Sequence, residues 1–551
     1  MGNSEGQGGA SAKGRKQASN AASGGASSSS SKRPSPEEIE AKRRERAEKK
    51  AREERERQEA QRQRQLQLEA DGGAGAAVLS PDGRQLFEPR KWSAVAGAHG
   101  EGVEHKQRIK VLSWNILAQG LVRRKLFPGS DCLRWKDREE GLSAEMLSLP
   151  WDVGCFQEVD RIEDHGPKLK ESGRAYLYAK GYARKQHGLM VAWNISSWRT
   201  TRFKEQPAGS KLVFLDDETV DKEAKRTGLS RVTRNIGLFA ALSLDEEGSD
   251  EQRGIIVATT HLFWHPMHAY ERVRQSGLLK RALLQWRQSN EAWRKWPVVL
   301  AGDFNDQPHS ATHALMTASD ISAHCRDEVQ RSTVVHTSVD ERRANLAVKD
   351  LGKLDIAGEA AAPKKGGEAG EEEKEEEGDG EEEEEEGEGE DENAEGSDQM
   401  LKNCRAAKEQ DGLLSFDELV ELHSASSASS AYGQHFGSLQ EDQAGNYFGS
   451  KERGKERYDD TEWKEGQPNI HLGPSKEPMW TLFSSIFSLT LDYIFLFPLQ
   501  SPSPSSSDRD GAPTVTALLP THKTAVLQPG IPRRGVCASD HIAIGAELSL
   551  S

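Results

Sequence analysis

Short runs rich in Val, Ile and Leu recur along the first half of the patterned chain: IKVLSWNIL (109–117), DVGCFQEV (152–159), GLMVAWN (188–194), NIGLFAALSL (235–244), GIIVATTHLF (254–263) and PVVLAGDFN (297–305). Each is short, apolar and bounded by polar or turn-forming residues, which predicts strands. Between the last two, Val273, Leu279, Ala282, Leu283 and Trp286 repeat at three and four within Tyr270 to Ser289, and this spacing predicts an amphipathic helix. Strands alternating with helices predict an α/β fold. The pattern lapses from about residue 345 to 460 and resumes in LTLDYIFLF (489–497) and DHIAIGAELSL (540–550). If these last strands complete the same sheets, the core comprises 105–340 and 461–551. Residues 341–460 are then an insertion of low complexity, and a long surface insertion costs little stability.

Outside the core, residues 1–34 are dominated by Gly, Ser, Ala and Lys, a composition that neither collapses nor holds a helix. Ser35, Pro36 and Glu38 form a capping-box start for a charged helix over 36–69, in which Glu alternates with Lys and Arg and almost no apolar seam exists. The whole of 1–104 is therefore expected to be a disordered tail carrying one solvated helix. Lys42, Arg43 and Arg44 leave open a nuclear-localisation or RNA-touching role. The most apolar stretch, Trp480 to Leu499, contains Asp492 and several serines, so it is read as two core segments in preference to a membrane helix. A second polar loop, SPSPSSSDRDGAPT, spans 501–514.

Composition supports one folded core with long polar additions. Of 551 residues, 35% are hydrophobic and 6% aromatic, and mean hydropathy is −0.76, so a core of ordinary density cannot extend over the whole length. The net charge of −15 would disfavour an anionic partner if it were spread evenly, but 368–392 holds 18 Asp/Glu against one Lys. Without that segment, 73 basic residues face 71 acidic ones, and a nucleic-acid substrate is not excluded. The five cysteines form no C-x-x-C pair, which fits a reducing compartment. The N-terminus lacks an apolar signal region and a myristoylation pattern, so the expected location is the cytoplasm, with the nucleus as the alternative.

The chemistry gathers at strand ends. Asn115 follows VLSW, Glu158 follows CFQ, His261 follows VATT, and Asp303 and Asn305 follow VVLAG; Asp492 lies within LTLDYIF, and Asp540 with His541 opens the last run. Any one of these alone is better explained by a strand cap or a satisfied buried polar group. Together they suit a crevice at the strand ends of an α/β fold, where ligands bind. Oxygen ligands without cysteine select Mg²⁺ or Mn²⁺ over zinc. Phosphodiester hydrolysis needs a metal, an oriented water and donors to the phosphate, and the set can supply each.

The order WNIL, QEVD, THLFWHP, GDFN, LDYIF and SDH resembles the DNase I-like endonuclease/exonuclease/phosphatase superfamily. Within it, the chain is most similar to the deadenylase branch with nocturnin, Angel and the fungal Ngl-type RNA exonucleases, toward which KQHGLMVAWN and THLFWHPMHAYERVRQ lean. The match covers roughly 108–320 and 480–550. The resemblance implies a four-layer α/β sandwich, two packed mixed β-sheets flanked by helices. It also implies a Mg²⁺-dependent RNA 3′-exonuclease acting on single-stranded 3′ ends, with Mn²⁺ as the alternative metal and no membrane partner. In that reading Asn115 and Glu158 bind the metal, Asp303 orients or deprotonates the attacking water, and Asn305 holds the scissile phosphate. Asp492 fixes the His541 ring, and His541 contacts the phosphate or acts as a base. Asp540 supports the metal or the water, and His261 sits near the phosphate or leaving oxygen. Arg272 and Arg274 are candidates for substrate phosphate, though a plain surface helix explains them as well. Two departures bear on substrate choice. His187 stands where many deadenylases have an acidic residue, and the interval between GDFN and LDYIF is much expanded. Phosphatase action on a small nucleotide or inositol phosphate is the same-class rival, and an RNA-binding scaffold is the rival from another class.

The insertion carries one further pattern. Counting from Ala407, Glu409, Asp411, Gly412, Ser415 and Glu418 fall at positions 3, 5, 6, 9 and 12 of an EF-hand loop, with an alanine where the first aspartate belongs. A degenerate hand over 407–418 with weak Ca²⁺ affinity and an ordinary short helix are both open.

Overall fold

The structure, a computed structural model, describes residues 78–95, 108–180, 193–244, 253–354, 401–439, 476–498 and 513–550, apart from residues 81, 222, 434, 437 and 438. In chain order the strands are β1 (Ser93–Ala94), β2 (Arg108–Asn115), β3 (Val153–Gln157), β4 (Arg174–Lys180), β5 (Trp193–Arg199), β6 (Phe203–Phe214), β7 (Ile236–Leu244), β8 (Gly254–His261) and β9 (Val298–Asp303). They continue with β10 (Val334–His336), β11 (Cys404–Ala406), β12 (Ser429–Ser430), β13 (Leu482–Phe483), β14 (Ser488–Leu489), β15 (Asp492–Phe497), β16 (Thr514–Leu519) and β17 (Ile544–Ser549). The helices are α1 (Trp135–Ser148), α2 (Ile162–Glu171), α3 (Ala269–Ser289), α4 (Ala311–Thr317), α5 (Ala323–Arg331), α6 (Thr337–Leu354), α7 (Phe416–Leu422) and α8 (Thr524–Leu527).

Two large mixed sheets form the centre. One runs β1-β16-β17-β2-β3-β5-β4 and the other β12-β15-β9-β8-β7-β6. Each has one parallel pair, β2 with β3 and β8 with β9. Alternation along the strands separates an inner from an outer face. Ile109, Val111, Val153, Cys155, Ile544 and Ala546 of the first sheet meet Val257, Val299, Ala301 and Ile494 of the second in one shared core. Leu112, Trp114 and Phe156 face the other way and pack with Leu142 and Met146 of α1. Ile256, Ala258, Val298 and Leu300 likewise pack with Leu279, Ala282 and Leu283 of α3. The architecture is the expected helix–sheet–sheet–helix sandwich.

A parallel pair needs a crossover, and α3 supplies the one between β8 and β9. This helix covers the residues whose spacing predicted it, but it is not half solvated. Its second side, with Val273 and Leu278, is covered by Leu414, Leu419 and Leu422. Sheet on one side and α7 on the other bury even charged positions of α3. Lys280 is fully buried, and its one hydrogen bond is a long one to the Leu315 carbonyl at 3.5 Å.

Two expected boundaries move. Residues 78–95 belong to the folded domain, because β1 adds to β16 and Phe87 is buried. The Arg90 guanidinium donates to the Glu145 carboxylate at 2.9 Å and to the Ala543 carbonyl at 2.6 Å. The charged helix expected over 36–69 lies outside the described residues. Residues 401–439, expected within a low-complexity insertion, are also part of the fold. β11 pairs antiparallel with β10, β12 extends the second sheet beside β15, and Tyr432 and Phe436 enter the core between the sheets. The Tyr432 hydroxyl lies 2.7 Å from the Leu519 carbonyl and 2.9 Å from that of Gly545, and accepts the Gly545 N–H at 2.7 Å. The apolar stretch from Trp480 folds as β13, β14 and β15, and among the described residues no helix is long and apolar enough to cross a membrane.

Two stability outcomes follow from these burials. Tyr432→Phe leaves the buried Gly545 N–H without its acceptor and should lower unfolding free energy by about 1–3 kcal/mol in urea titrations. Lys280→Met should raise Tm, by about 2–4 °C per kcal/mol gained for a domain of this size. Burial pushes the Lys280 ammonium down to about 8. Its folded value thus lies below its unfolded one, so the charged form opposes folding at pH 7 and the gain should shrink as pH rises toward 10.

Candidate active site

The inner-face parity of each strand continues past its last aliphatic residue into a polar one. In β9, Val299 and Ala301 lead to Asp303; in β8, Val257 and Thr259 lead to His261; in β15, Asp492 precedes Ile494. Register then aligns them, since His261 lies opposite Asp303 and Asp303 opposite Asp492. On the facing sheet, Val111 leads to Asn115 and Cys155 to Gln157, with Asn115 and Gln157 in register and Glu158 next in line. The packed sheets therefore bring two polar rows together at one end of the shared core.

The contacts between the rows are direct. The Asn115 amide donates to Glu158 Oε1 and to Asp303 Oδ2, both at 3.0 Å, and so bridges a carboxylate from each sheet. His261 lies between the same two groups, with Nδ1 3.9 Å from Glu158 and Nε2 3.5 Å from Asp303 Oδ2. His541 Nδ1 is 2.8 Å from Asp492 Oδ2, which turns Nε2 to within 3.7 Å of Asp303 Oδ2. The Asn305 N–H donates to Asp303 Oδ1 at 2.9 Å, and its side-chain amide donates to the Leu262 carbonyl at 2.9 Å. Asp540 is half-buried next to His541. All eight strand-end residues singled out in the sequence converge here.

Backbone geometry holds the cluster in place. Glu158 and Asn305 have φ of 59° and 51°, the left-handed region that favours glycine and that non-glycine residues occupy mainly at functional sites. A Cβ at Gly302 would stand 2.1 Å from the Thr260 carbonyl oxygen, so only glycine lets β9 approach β8 just before Asp303. Three supporting side chains gave no signal in the sequence. Arg138, buried in α1, donates to the carbonyls of Ile116, Leu117 and Ala538, tying the loop after Asn115 to the segment before Asp540. The Ser539 hydroxyl donates to the Asn115 carbonyl at 2.7 Å, and the Thr481 hydroxyl accepts the N–H groups of Leu491 and Asp492. Arg138 stands in the charged run WKDREE and reads as surface, while Ser and Thr occur too widely to be informative.

Burial and charge oppose each other at His541. Burial alone would lower its pKa, but the Asp492 and Asp303 carboxylates outweigh that and hold it well above the ordinary histidine value. Burial raises Asp492, against the pull of His541. It also pushes Asp540 up to about 6, with the Glu158 carboxylate acting in the same direction.

Arg272 and Arg274 do not stand free for substrate phosphate. Arg274 is completely buried, donating to the Glu271 carboxylate at 2.7 Å and to the carbonyls of Leu215 and Thr227. Arg272 donates to the carbonyls of His265 and Pro266 and lies 3.2 Å from Asp306. The chain at Leu215 and Thr227 and the segment 265–266 take the donors that a surface helix would have exposed. Of the two readings open for 407–418, the short helix is present as α7, and the Asp411 and Glu418 carboxylates of the EF-hand pattern are engaged in ion pairs. Hydrogen bonds from Arg405 and Arg343 hold the Asp411 carboxyl well below the usual carboxylate range, while Glu418 pairs with Arg226 and closes a capping box on Ser415. His187 lies outside the described residues.

Residues 112–347 match the Endonuclease/Exonuclease/phosphatase family. That region is similar in sequence to a domain of that family. It is 34% identical over 230 residues to a probable RNA exonuclease of Schizosaccharomyces pombe, covering 41% of this chain and 42% of that protein. It is 31% identical over 273 residues to RNA exonuclease NGL2 of Saccharomyces cerevisiae, covering 46% of this chain and 49% of that protein. The chain thus matches less than half the length of these curated relatives. Among solved structures, ANGEL2, a 2′,3′-cyclic phosphatase, is 18% identical with a TM-score of 0.46, over 83% of this chain and 97% of that one.

The donor set fits a divalent cation. Glu158, Asp303, Asp492 and Asp540 converge, and within the cluster the buried His261 Nδ1 and Asp492 Oδ1 have no hydrogen-bond partner among the described residues. Ligand atoms of Asp303, Asp492 and His541 lie within 4.8 Å of one another, although the His541–Asp492 hydrogen bond already engages two of the three groups. Glu158 and the Asn115 amide stand on the other side of Asp303 as the alternative ligands.

NMR titration of the His541 imidazole tests the electrostatics without any turnover. In metal-free wild-type protein the ring should titrate well above the ordinary histidine range. Asp492→Asn removes the largest stabilising charge, so the same resonance should titrate at lower pH; an unchanged midpoint would show that Asp492 does not set the charge of the ring.

Proposed function

We propose that the protein is a Mg²⁺-dependent phosphodiesterase, an RNA 3′-exonuclease of the deadenylase type that shortens single-stranded RNA from its 3′ end. The observation that carries the reading is the Asn115 amide bridging Glu158 and Asp303 across the two sheets, with His541 of the Asp492–His541 pair facing the same Asp303 oxygen. The fungal relatives named as RNA exonucleases favour RNA as substrate. Hard oxygen donors and the absence of cysteine from the cluster favour Mg²⁺, with Mn²⁺ as the close alternative.

In this mechanism Glu158 and Asn115 hold the metal, which when bound neutralises charge developing on the phosphate. Asp303 accepts the proton of the attacking water. Each of its oxygens takes one amide hydrogen bond, Oδ1 from the Asn305 N–H and Oδ2 from the Asn115 side chain, and each keeps a lone pair for the water. His541, held protonated by Asp492, presents Nε2–H to a non-bridging phosphate oxygen; the carboxylate fixes the ring plane. Asn305 has a second amide N–H for the phosphate beyond the one given to Leu262. His261, reached from the Glu158 side, is placed to donate to the leaving 3′ oxygen. Asp540, half-buried beside His541, adds negative charge on the metal side.

Gel analysis of a 5′-labelled single-stranded RNA with Mg²⁺, run beside phosphate release from small nucleotides and inositol phosphates, tests the reading. A ladder shortening from the 3′ end is expected; turnover of the small esters alone would make the protein a phosphatase. Asp303→Ala and His541→Ala should each lower kcat by about 10²–10⁴ with folding intact by circular dichroism, the range for a positioned acid–base group. Unchanged turnover in Asp303→Ala would remove Asp303 from the mechanism.

A further inference from the structure

The proposed substrate is a polyanion, yet the cleft is lined by four carboxylates, and the two arginines nearest to it in sequence on α3 are committed to protein carbonyls and carboxylates. Attraction of RNA must come from cations on the rim. The loop that leaves Asn115 provides them. Its first turns are tied to the site, with the Leu117 N–H donated to Asn115 Oδ1, the Ala118 N–H to Glu158 Oε2 at 2.8 Å and the Gly120 N–H to Asp160 at 2.9 Å. Leu117, Phe127 and Leu133 are buried together and root both ends of the loop. Between these anchors the tip, Arg123-Arg124-Lys125-Leu126, is exposed at every position.

The far side of the loop touches the opposite wall of the cleft. The Ser130 hydroxyl donates to the Pro532 carbonyl at 2.6 Å, and Phe127, Gly129 and Ser130 share a small cavity with Ser485 and Ile531. Ser485 belongs to the turn joining β13 to β14, and β13 is itself fixed to the site, since Leu482 bridges His541 and the Phe483 N–H donates to the Asp540 carbonyl at 2.8 Å. The basic tip is thus held next to a wall of the cleft by bonds at both ends. Arg123 makes no hydrogen bond or ion pair among the described residues, and Arg124 uses one donor on the Ser130 carbonyl, which stiffens the loop.

We infer that the 122–127 loop is a backbone-binding track for single-stranded RNA, in which Arg123 and Arg124 take phosphates of nucleotides upstream of the scissile bond. The inference rests on the RNA reading of the site and adds where the strand beyond that site is held. Charge contacts of this type are indifferent to base identity and sensitive to salt. They also make affinity depend on oligonucleotide length, because a dinucleotide placed at the catalytic residues does not extend to the loop.

The test separates binding from turnover. Anisotropy of a fluorescein-labelled single-stranded RNA decamer is measured in EDTA, where no hydrolysis competes, for wild type, the double variant R123E/R124E and a control, K295E. Lys295 is an exposed cation just before the opposite end of β9. The double variant should bind the decamer at least about tenfold more weakly, and its dependence on log salt should flatten by about 0.7 for each phosphate that is no longer neutralised. In Mg²⁺, its KM for the decamer should rise while kcat, and turnover of a dinucleotide, stay near wild type. Equal affinity and salt slope in wild type and double variant would overturn the inference, as would an equal loss in K295E or an equal loss on the dinucleotide. Wild-type protein that binds the decamer through these arginines but does not shorten it would instead refute the exonuclease reading and leave the binding track standing.

Discussion

The site depends on one constraint, the two-residue repeat of a β-strand combined with fixed register between neighbours. Because Val299 and Ala301 must face the other sheet to fill the shared core, Asp303 must face it too. Pairing of β9 with β8 on one side and β15 on the other then leaves no choice about which residues flank Asp303. A slip of one residue in any of these strands would turn a polar group of the site outward and a methyl group inward. The packing that stabilises the sandwich and the alignment that permits chemistry are therefore the same set of contacts, read at different levels of the same strands.

The second demand is electrostatic. Four carboxylates at one end of an apolar core are costly unless something offsets them. Within the protein the offset is partial. Asn115 donates to two of them, His541 is held protonated by Asp492, and Arg138 lends charge from behind the wall while its donors go to carbonyls. The remaining deficit is what a divalent cation would fill. Left-handed backbone at Glu158 and Asn305 adds strain to the same place. Stability is given up where the ligand is expected to return it.

Much of this was legible in the chain. Aliphatic runs ending in Asn115, Glu158, His261 and Asp303 marked both the strands and the chemistry, because a buried strand leaves a continuous apolar signature and a polar residue at its end interrupts that signature visibly. The strands Arg174–Lys180, Phe203–Phe214 and Thr514–Leu519 gave no such mark. The first is RAYLYAK and the second carries Lys204, Glu205, Gln206 and Lys211 among largely exposed positions, so neither forms an apolar run. Arg274 was obscured for the opposite reason. A charged residue on an amphipathic helix signals solvent only if nothing covers that side, and here the carbonyls of Leu215 and Thr227 take its guanidinium while residues more than a hundred positions later cover the neighbouring Val273 and Leu278. The EF-hand spacing likewise gave no hint of long-range pairing, in which Arg343, Arg405 and Arg226 contact its carboxylates. Periodicity reports what a segment can bury; it does not report which distant segment arrives to bury it.

The anchoring of residues 401–439 alters what the polypeptide connection before them contributes. Arg405 reaches Asp340, β11 pairs with β10, α7 packs on α3, and Tyr432 is bonded to two strands of the far sheet. Asp492 and His541, both C-terminal to the acidic tract, sit on strands and turns that are attached to the N-terminal part by sheet pairing and core packing. Covalent continuity between residues 354 and 401 is not what aligns His541 with Asp303. Cleavage there would yield two fragments that interlock through a complete hydrophobic interface, so the candidate site is in effect assembled from two separable pieces of one chain, each contributing part of its charged rows.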